Sequence, residues 1–378
     1  MSKTKLMWGG VALVLLGLAG FGGWLLRLPA ATTLAQGPQV PPQERDAVLA
    51  ALKPVKRQRP LVATIGINDA TETTDYLVPV GILRRSGVAD VSMLATGPGP
   101  VQLYPALKVE ADATIAAFDA AHPEGADYVI VPAMSRDDDP AVLAWLRSQA
   151  AKGARIIGVC AGAKVVGAAG LLDGRRATTH WYYLRDMLER SPTIRYVADR
   201  RFVTDANVAT TTGISASMPM MLTLIEAIAG SAKAQAVADD LGVGRWDARH
   251  SSSAFKLDRS FATTVLANRL AFWRREALGI GLEAGMDEVS LALVADAWSR
   301  TYRSSAFTFA GSPSAVATAH GVRVLPDRDV AKAPQHHRLS TFPSRRPAQA
   351  LDDTLAVVAE RYGERTAHVV AMQLEYPR

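Results

Sequence analysis

The chain has 378 residues, of which 49% are hydrophobic and 21% charged, and it contains a single cysteine. This composition excludes a disordered chain, and a lone thiol excludes both an internal disulfide framework and a cysteine-rich zinc site. The net charge of +6 at pH 7 lies within the first 60 residues, because the charges of the remaining chain sum to zero. A neutral body lacks the basic surface that binds phosphate backbones, so we expect no nucleic-acid partner.

The first 60 residues predict a membrane anchor and a linker. After a tail at residues 1–6, an uncharged apolar stretch at residues 7–26 would cross a hydrocarbon core of about 30 Å at about 1.5 Å per residue. Lys3 and Lys5 precede this stretch and only Arg27 follows it closely, which favours a cytoplasmic amino terminus. We therefore expect a single-pass protein of the inner (cell) membrane that contacts lipid through residues 7–26, with its body outside the cytoplasm, periplasmic in a bacterium. A cleaved signal peptide is the alternative, and the proline-rich residues 27–60 are typical of a linker.

From Leu61 onward, short apolar runs alternate with amphipathic stretches. The pattern predicts strands at residues 61–67, 89–95, 126–133 and 154–159, and helices at residues 75–85, 111–121 and 139–151. This alternation predicts an α/β fold in which helices cover both faces of a parallel sheet. Active sites in such folds lie at the carboxyl ends of the strands.

Cys160 lies at such an end, in the segment GVCAGAK at residues 158–164. Gly158 and Gly162 flank it and permit a tight turn between the preceding strand and the following helix. A thiol at a helix N-terminus faces unpaired N–H groups that stabilise a thiolate, so we expect a lowered pKa and a nucleophilic role. The alternative is a buried cysteine that acts as a small hydrophobic residue.

Several segments in order resemble the ThiJ/PfpI family of the class I glutamine amidotransferase-like superfamily. The similar segments are TDYLVPVGILRRSG (74–87), GVCAGA (158–163), GLLDGRRATTHW (170–181) and NVATTTGISASMPMMLTLIEAIAG (207–230). The resemblance implies a flavodoxin-like domain over residues 61–230.

The resemblance also implies a set of site residues. Cys160 would be the nucleophile, Asp75 the acidic partner that shares a proton with it, and His180 a base or an orienting residue. Capping of a helix is the alternative role for Asp75, and a hydrogen-bonded core position is the alternative for His180. The backbone N–H groups of Ala133 and Ala161 would bind an oxyanion, although relatives usually carry a Gly-Gly pair where Ala133 and Met134 stand here.

Two classes of function follow from the resemblance. The first is a cysteine-dependent hydrolase, hydratase or glyoxalase-type enzyme that acts on a small molecule without a cofactor. The second is a ligand or redox sensor, or an interaction module, related to the sensor domains of AraC-type regulators. A homodimer is possible in either class.

The chain after Gly230 contains no recognisable pair of helix-turn-helix units. Residues 231–278 predict a helical connector that includes one amphipathic helix over residues 260–278. Residues 279–378 predict a smaller α/β unit, a truncated second copy of the first domain without its cysteine, in which residues 351–374 form a helix and a strand. His336 and His337 lie among Pro, Arg and Ser residues, and without a third ligand we expect no metal site.

Overall fold

The computed structural model describes residues 17, 19–30, 37–329 and 337–377. The helices are α1 (residues 19–27), α2 (Pro42–Leu52), α3 (Thr73–Ser86), α4 (Ile115–Ala121), α5 (Pro140–Ala151), α6 (Gly162–Ala168), α7 (Leu184–Arg190), α8 (Ser217–Ala229), α9 (Ser231–Leu241), α10 (Arg259–Leu270), α11 (Glu288–Ser299), α12 (Gln349–Tyr362) and α13 (Glu364–Gln373). The strands are β1 (Leu61–Gly66), β2 (Asp69–Glu72), β3 (Asp90–Ala95), β4 (Val101–Tyr104), β5 (Lys108–Glu110), β6 (Ala113–Thr114), β7 (Tyr128–Val131), β8 (Arg155–Gly158), β9 (Arg176–Ala177), β10 (Arg195–Tyr196), β11 (Phe202–Asp205), β12 (Val208–Thr211), β13 (Glu276–Gly281), β14 (Ser304–Ala310), β15 (Val316–Ala317), β16 (Arg323–Val324), β17 (Arg328–Asp329) and β18 (Arg338–Leu339).

The main sheet has the strand order β11-β12-β8-β7-β1-β3-β6. Its neighbouring strands are parallel except for β11 and β12, which pair antiparallel. Successive residues of β1 enter different cores: Val62 packs in the core that contains α3 and α8, whereas Ala63 packs in the core that contains α5 and α6. Because side chains of a strand alternate between its two faces, helices cover both faces of the sheet. This is the α/β fold that the alternating pattern predicts, and it has the flavodoxin-like arrangement that the family resemblance implies.

The last part of the chain contains a second sheet of parallel strands. β13 pairs in parallel with both β14 and β18, in a sheet of order β17-β14-β13-β18. A mixed sheet of order β15-β16-β5-β4-β2 takes strands from both parts of the chain and joins them, and one hydrophobic core includes residues of both parts, such as Val62 and Ile280. The predicted domain boundaries, including the connector at residues 231–278, remain predictions.

The predicted membrane anchor needs a correction. Part of the predicted span, residues 7–16 and 18, lies outside the described residues. Within the described ranges, no helix is long and apolar enough to cross a bilayer. The helical positions described in this stretch are residue 17 and residues 19–27. The predicted single-pass location in the cell membrane, with its orientation, is therefore wrong on this finding, whereas the lipid contact through residues 7–26 stays a prediction.

Two local predictions in the second half also differ from the structure. The helix predicted over residues 260–278 ends at Leu270, and β13 begins at Glu276. The strand predicted near residue 374 is α13, which follows Gly363 at a φ of 90°. The buried residues Ala367, Val370 and Ala371 of α13 are spaced as on one face of a helix. The helical period of 3.6 residues therefore describes this segment better than the short apolar run that suggested a strand.

Candidate functional site

Cys160 lies on the turn between β8 and α6, at the carboxyl end of the main sheet. Its φ of 55° is the left-handed conformation, which a residue with a side chain adopts only where the surrounding structure imposes it. The turn is crowded, because a Cβ at Gly162 would come within 1.9 Å of the carbonyl oxygen of Val131. The glycine at this position thus allows α6 to begin directly against β7.

Two threonines hold the backbone of Cys160. Its N–H donates to Oγ1 of Thr211 at 3.0 Å, and its carbonyl accepts from Oγ1 of Thr179 at 3.0 Å. Both threonines are buried, and Cys160 itself is only 3% exposed. The thiol is therefore fixed in position and reachable only by a small molecule or after a local opening.

Asp75 lies in the first turn of α3 and is fully buried. Its Oδ2 accepts the N–H of Ala133 at 3.1 Å, whereas its Oδ1 has no hydrogen-bond partner among the described residues. The cap of α3 is Glu72, whose Oε2 accepts the N–H of Asp75 at 2.6 Å. Glu72 therefore caps α3, and the carboxyl group of Asp75 is not needed for capping.

Burial and neighbouring carboxyl groups oppose ionisation of both the Cys160 thiol and the Asp75 carboxyl group. Burial, followed by the nearby charges of Asp75 and Glu72, holds the pKa of the Cys160 thiol well above its usual range. Burial and then Glu72 likewise hold the pKa of Asp75 well above its usual range. The sequence predicts a lowered thiol pKa, and the difference arises because the carboxyl groups and the burial outweigh the N–H groups of the short helix α6.

His180 is buried near this site, but both of its ring nitrogens are engaged. Nδ1 accepts the N–H of Tyr182 at 3.2 Å, and Nε2 lies 3.0 Å from the carbonyl oxygen of Gln373. Because a carbonyl only accepts, Nε2 carries the proton and the ring is neutral. Burial also lowers the pKa of His180. This arrangement fits the hydrogen-bonded alternative better than a base.

The two backbone N–H groups predicted to bind an oxyanion differ in their availability. The N–H of Ala133 is already bonded to Asp75. The N–H of Ala161 interacts with the Cys160 thiol and favours its ionised form. An oxyanion could use Ala133 only if Asp75 released it.

Two residues of the site, Arg300 and Glu375, were not predicted from the sequence. Arg300 donates from Nη2 to Oε1 of Glu72 at 2.7 Å and from Nε to Asp296 at 2.7 Å. Glu375 accepts the N–H of Gly213 at 2.6 Å and lies 2.9 Å from Nε2 of His250. Both residues come from the second half of the chain, so no local motif around Cys160 could have indicated them.

A potential metal-ligand group lies outside this site. Asp287, Glu288 and His320 bring one ligand atom each to within 4.8 Å of one another, the one such group in the described part of the chain. Asp287 caps α11 and pairs with Arg85, while Glu288 is hydrogen-bonded to His320 at 2.6 Å. These contacts already occupy the three side chains. His336, weighed above as a ligand with His337, lies outside the described residues.

Comparisons with known proteins find similarity in the region that carries Cys160. Residues 62–227 match the model of the DJ-1/PfpI family. The chain is 44% identical over 101 residues to an isonitrile hydratase of Pseudomonas putida, a match that covers 26% of this chain and 42% of that enzyme. It is 30% identical over 186 residues to the HTH-type transcriptional regulator GlxA of Rhizobium meliloti, covering 47% of this chain and 55% of the regulator.

A solved structure of a DJ-1 superfamily protein from Salmonella typhimurium is 27% identical, with a TM-score of 0.44. The match covers 49% of this chain and all of that one. The chain thus spans about half the length of the two curated relatives described here.

Proposed function

Because residues 62–227 match the model of the DJ-1/PfpI family, we propose that the protein adds water to a small, uncharged carbon–nitrogen electrophile, with Cys160 as nucleophile and Asp75 as its proton partner. The observation that carries this proposal is the pair of fully buried groups, a thiol on a strained turn and a carboxyl group with one oxygen free of hydrogen bonds within the described residues. The likeness to an isonitrile hydratase supports the class of substrate.

The charges around the thiol favour an uncharged substrate. Glu72, Asp75 and Glu375 each oppose ionisation of Cys160, and Arg300 is paired with Glu72 and Asp296. An anionic substrate would add another negative charge to a buried acidic site, which is costly. The low exposure of Cys160 limits the substrate further to a small molecule.

The proposed reaction balances without a cofactor. Asp75 takes the proton of the Cys160 thiol, and the thiolate adds to the electrophilic carbon of an isonitrile while that proton is delivered to the substrate. Water then adds to the same carbon, the carbon–sulfur bond breaks, and the thiol recovers a proton. The net change is the addition of one water molecule, which yields an N-substituted formamide, and Asp75 serves as general acid and base.

The test is turnover of a small aliphatic isonitrile such as n-butyl isonitrile, followed by NMR detection of the formamide. We expect many product molecules per protein, no turnover by Cys160→Ser, and a loss of about 100-fold or more in Asp75→Asn. Asp138→Asn is the matched control, because Asp138 is an exposed carboxyl outside the site. Absence of product from the wild-type protein would overturn the proposal.

A ligand sensor is the second candidate, favoured by the likeness to the regulator GlxA. In that case a small electrophile would bind or form a stable adduct at Cys160 without release of product. Intact-mass measurement in the turnover experiment distinguishes the two, because a stable adduct of one equivalent supports the sensor and contradicts the hydratase.

A further inference from the structure

The second half of the chain repeats the contacts of the first with a constant spacing of 215 positions. Glu72 caps α3 by accepting the N–H of Asp75, and Asp287 caps α11 by accepting the N–H of Ser290. Further equivalent features are the left-handed residues that follow the two helices, Gly87 and Tyr302, and the aspartates that accept a backbone N–H from a neighbouring strand, Asp112 from Met93 and Asp327 from Thr308. A constant spacing through capping, turn and strand contacts is what a duplicated unit produces.

The two units meet about a pseudo-two-fold axis. Val109 of β5 pairs with its own equivalent, Val324 of β16, and α3 packs against its equivalent α11. On either side of this axis an arginine crosses to the opposite cap: Arg85 pairs with Asp287, and Arg300 pairs with Glu72. Such reciprocal contacts define an isologous interface, so the second unit occupies the face where a second copy of the first would bind. A homodimer, which the sequence left possible, would have to use another face.

The two reciprocal ion pairs lie in different chemical surroundings. At the Arg85 end, Ser290 stands where the first unit has Asp75. At the Arg300 end lie Asp75 and Cys160. We infer that Arg300 is a positioning residue of the Cys160 site, supplied across the internal interface by a unit that has no nucleophile of its own.

Arg300 acts on Cys160 through Glu72. One oxygen of Glu72 accepts from Arg300, while the other accepts the N–H of Asp75 and the hydroxyl of Thr74. The guanidinium thus keeps a buried carboxylate in place as a cap and offsets its negative charge beside the thiol. Gln373 of α13 helps to hold Arg300 in place, because its Nε2 donates to the carbonyl oxygen of Arg300 at 2.8 Å.

Removal of the guanidinium would leave the Glu72 charge unopposed next to the thiol. The charged or titratable groups that surround Cys160 are then Glu72 and Asp75 from α3 and its cap, Asp296 from α11, His180 and Tyr183 from the loop before α7, and Glu375 after α13. Most of these are acids, so we expect ionisation of the thiol to become harder in Arg300→Ala. A shift of one pKa unit lowers the thiolate fraction tenfold at a pH below the midpoint.

The experiment measures the rate of Cys160 alkylation by iodoacetamide against pH in the full chain, with no other thiol to interfere. We expect Arg300→Ala to raise the midpoint by about one pH unit or more and Arg300→Lys to restore part of the shift. Arg85→Ala is the matched control, because it removes the pseudo-symmetric ion pair and leaves the site intact. We expect its midpoint to equal that of the wild type, and urea unfolding of each variant identifies any that fails to fold.

A folded Arg300→Ala with an unchanged midpoint, or an equal shift in Arg300→Ala and Arg85→Ala, would overturn the inference. If Arg300→Ala does not fold, Arg300→Gln decides, because glutamine removes the charge, and a wild-type midpoint in that variant contradicts the positioning role. The inference rests on Cys160 as the reactive group of the proposed function. The alkylation needs no substrate, however, so failure of turnover and failure of the positioning role give different results.

Discussion

The thiol of Cys160 and the carboxyl group of Asp75 are both withdrawn from water, and the charge of Asp75 adds to the cost of ionising the thiol. Both groups therefore have a raised pKa and resist ionisation more than their exposed counterparts would. In the proposed reaction, Asp75 passes the proton of the thiol to the substrate, and a carboxyl group with a raised pKa suits this step because it holds a proton readily.

Asp75→Asn tests this coupling without a substrate. Asparagine keeps an oxygen for the N–H of Ala133 but carries no charge, so it removes one cause of the raised thiol pKa. We expect the midpoint of Cys160 alkylation to move to lower pH by about one unit, opposite in sign to the change in Arg300→Ala. Asp138→Asn should leave the midpoint unchanged, and an upward shift in Asp75→Asn would show that the carboxyl group assists thiolate formation.

For single residues, the sequence could indicate which residues lie at the candidate site, but it could not indicate their roles. The segments around Asp75, Cys160 and His180 carry local signals, and the structure places all three residues in buried positions near one another. The direction of the thiol pKa depends on burial and on carboxyl groups distant in sequence, which a motif does not contain. The same holds for His180, whose Nε2 contacts Gln373, 193 positions away.

At the scale of single elements, the turn between β8 and α6 depends on close backbone approach. We expect Gly162→Ala to destabilise the protein by about 1–3 kcal/mol and to slow turnover, because the new Cβ would meet the Val131 carbonyl. Gly167→Ala is the matched control within α6, since its nearest contact is the Ser191 hydroxyl at 3.3 Å, and it should lie within about 1 kcal/mol of the wild type. Urea unfolding measures both, and equal stabilities would contradict this account of the turn.

The elements that a periodic pattern could predict are those with a long, regular burial pattern. The strands and helices predicted between Leu61 and Val159 correspond to β1, α3, β3, α4, β7, α5 and β8. The short strands β4 and β5 were not predicted, because Val101–Tyr104 and Lys108–Glu110 are too brief for a period to emerge. Their pairing depends on β2 and β16, so long-range contacts define them.

At the scale of the whole molecule, the shared sheet and the shared core predict one cooperative unfolding transition. Val324→Ala removes a fully buried contact at the pseudo-two-fold axis and should cost about 2 kcal/mol. We expect the urea midpoint reported by circular dichroism and the midpoint reported by Cys160 alkylation to fall together. Val357→Ala, on the exposed side of α12, should leave both within about 0.5 kcal/mol of the wild type. Two separate transitions would contradict the coupling of the units.

The dependence of the Cys160 site on residues from the second unit also has a consequence during synthesis. A ribosome adds about 5–20 residues per second, so roughly 10–40 s separate the synthesis of Cys160 from that of Glu375. Arg300, which pairs with Glu72, follows Cys160 by about 7–28 s at this rate, and the Gln373 carbonyl oxygen that accepts the His180 proton is made only near the end of the interval. The nascent first unit therefore leaves the ribosome with its thiol but without the contacts from the second unit, which form only after that unit has been made and has packed against it.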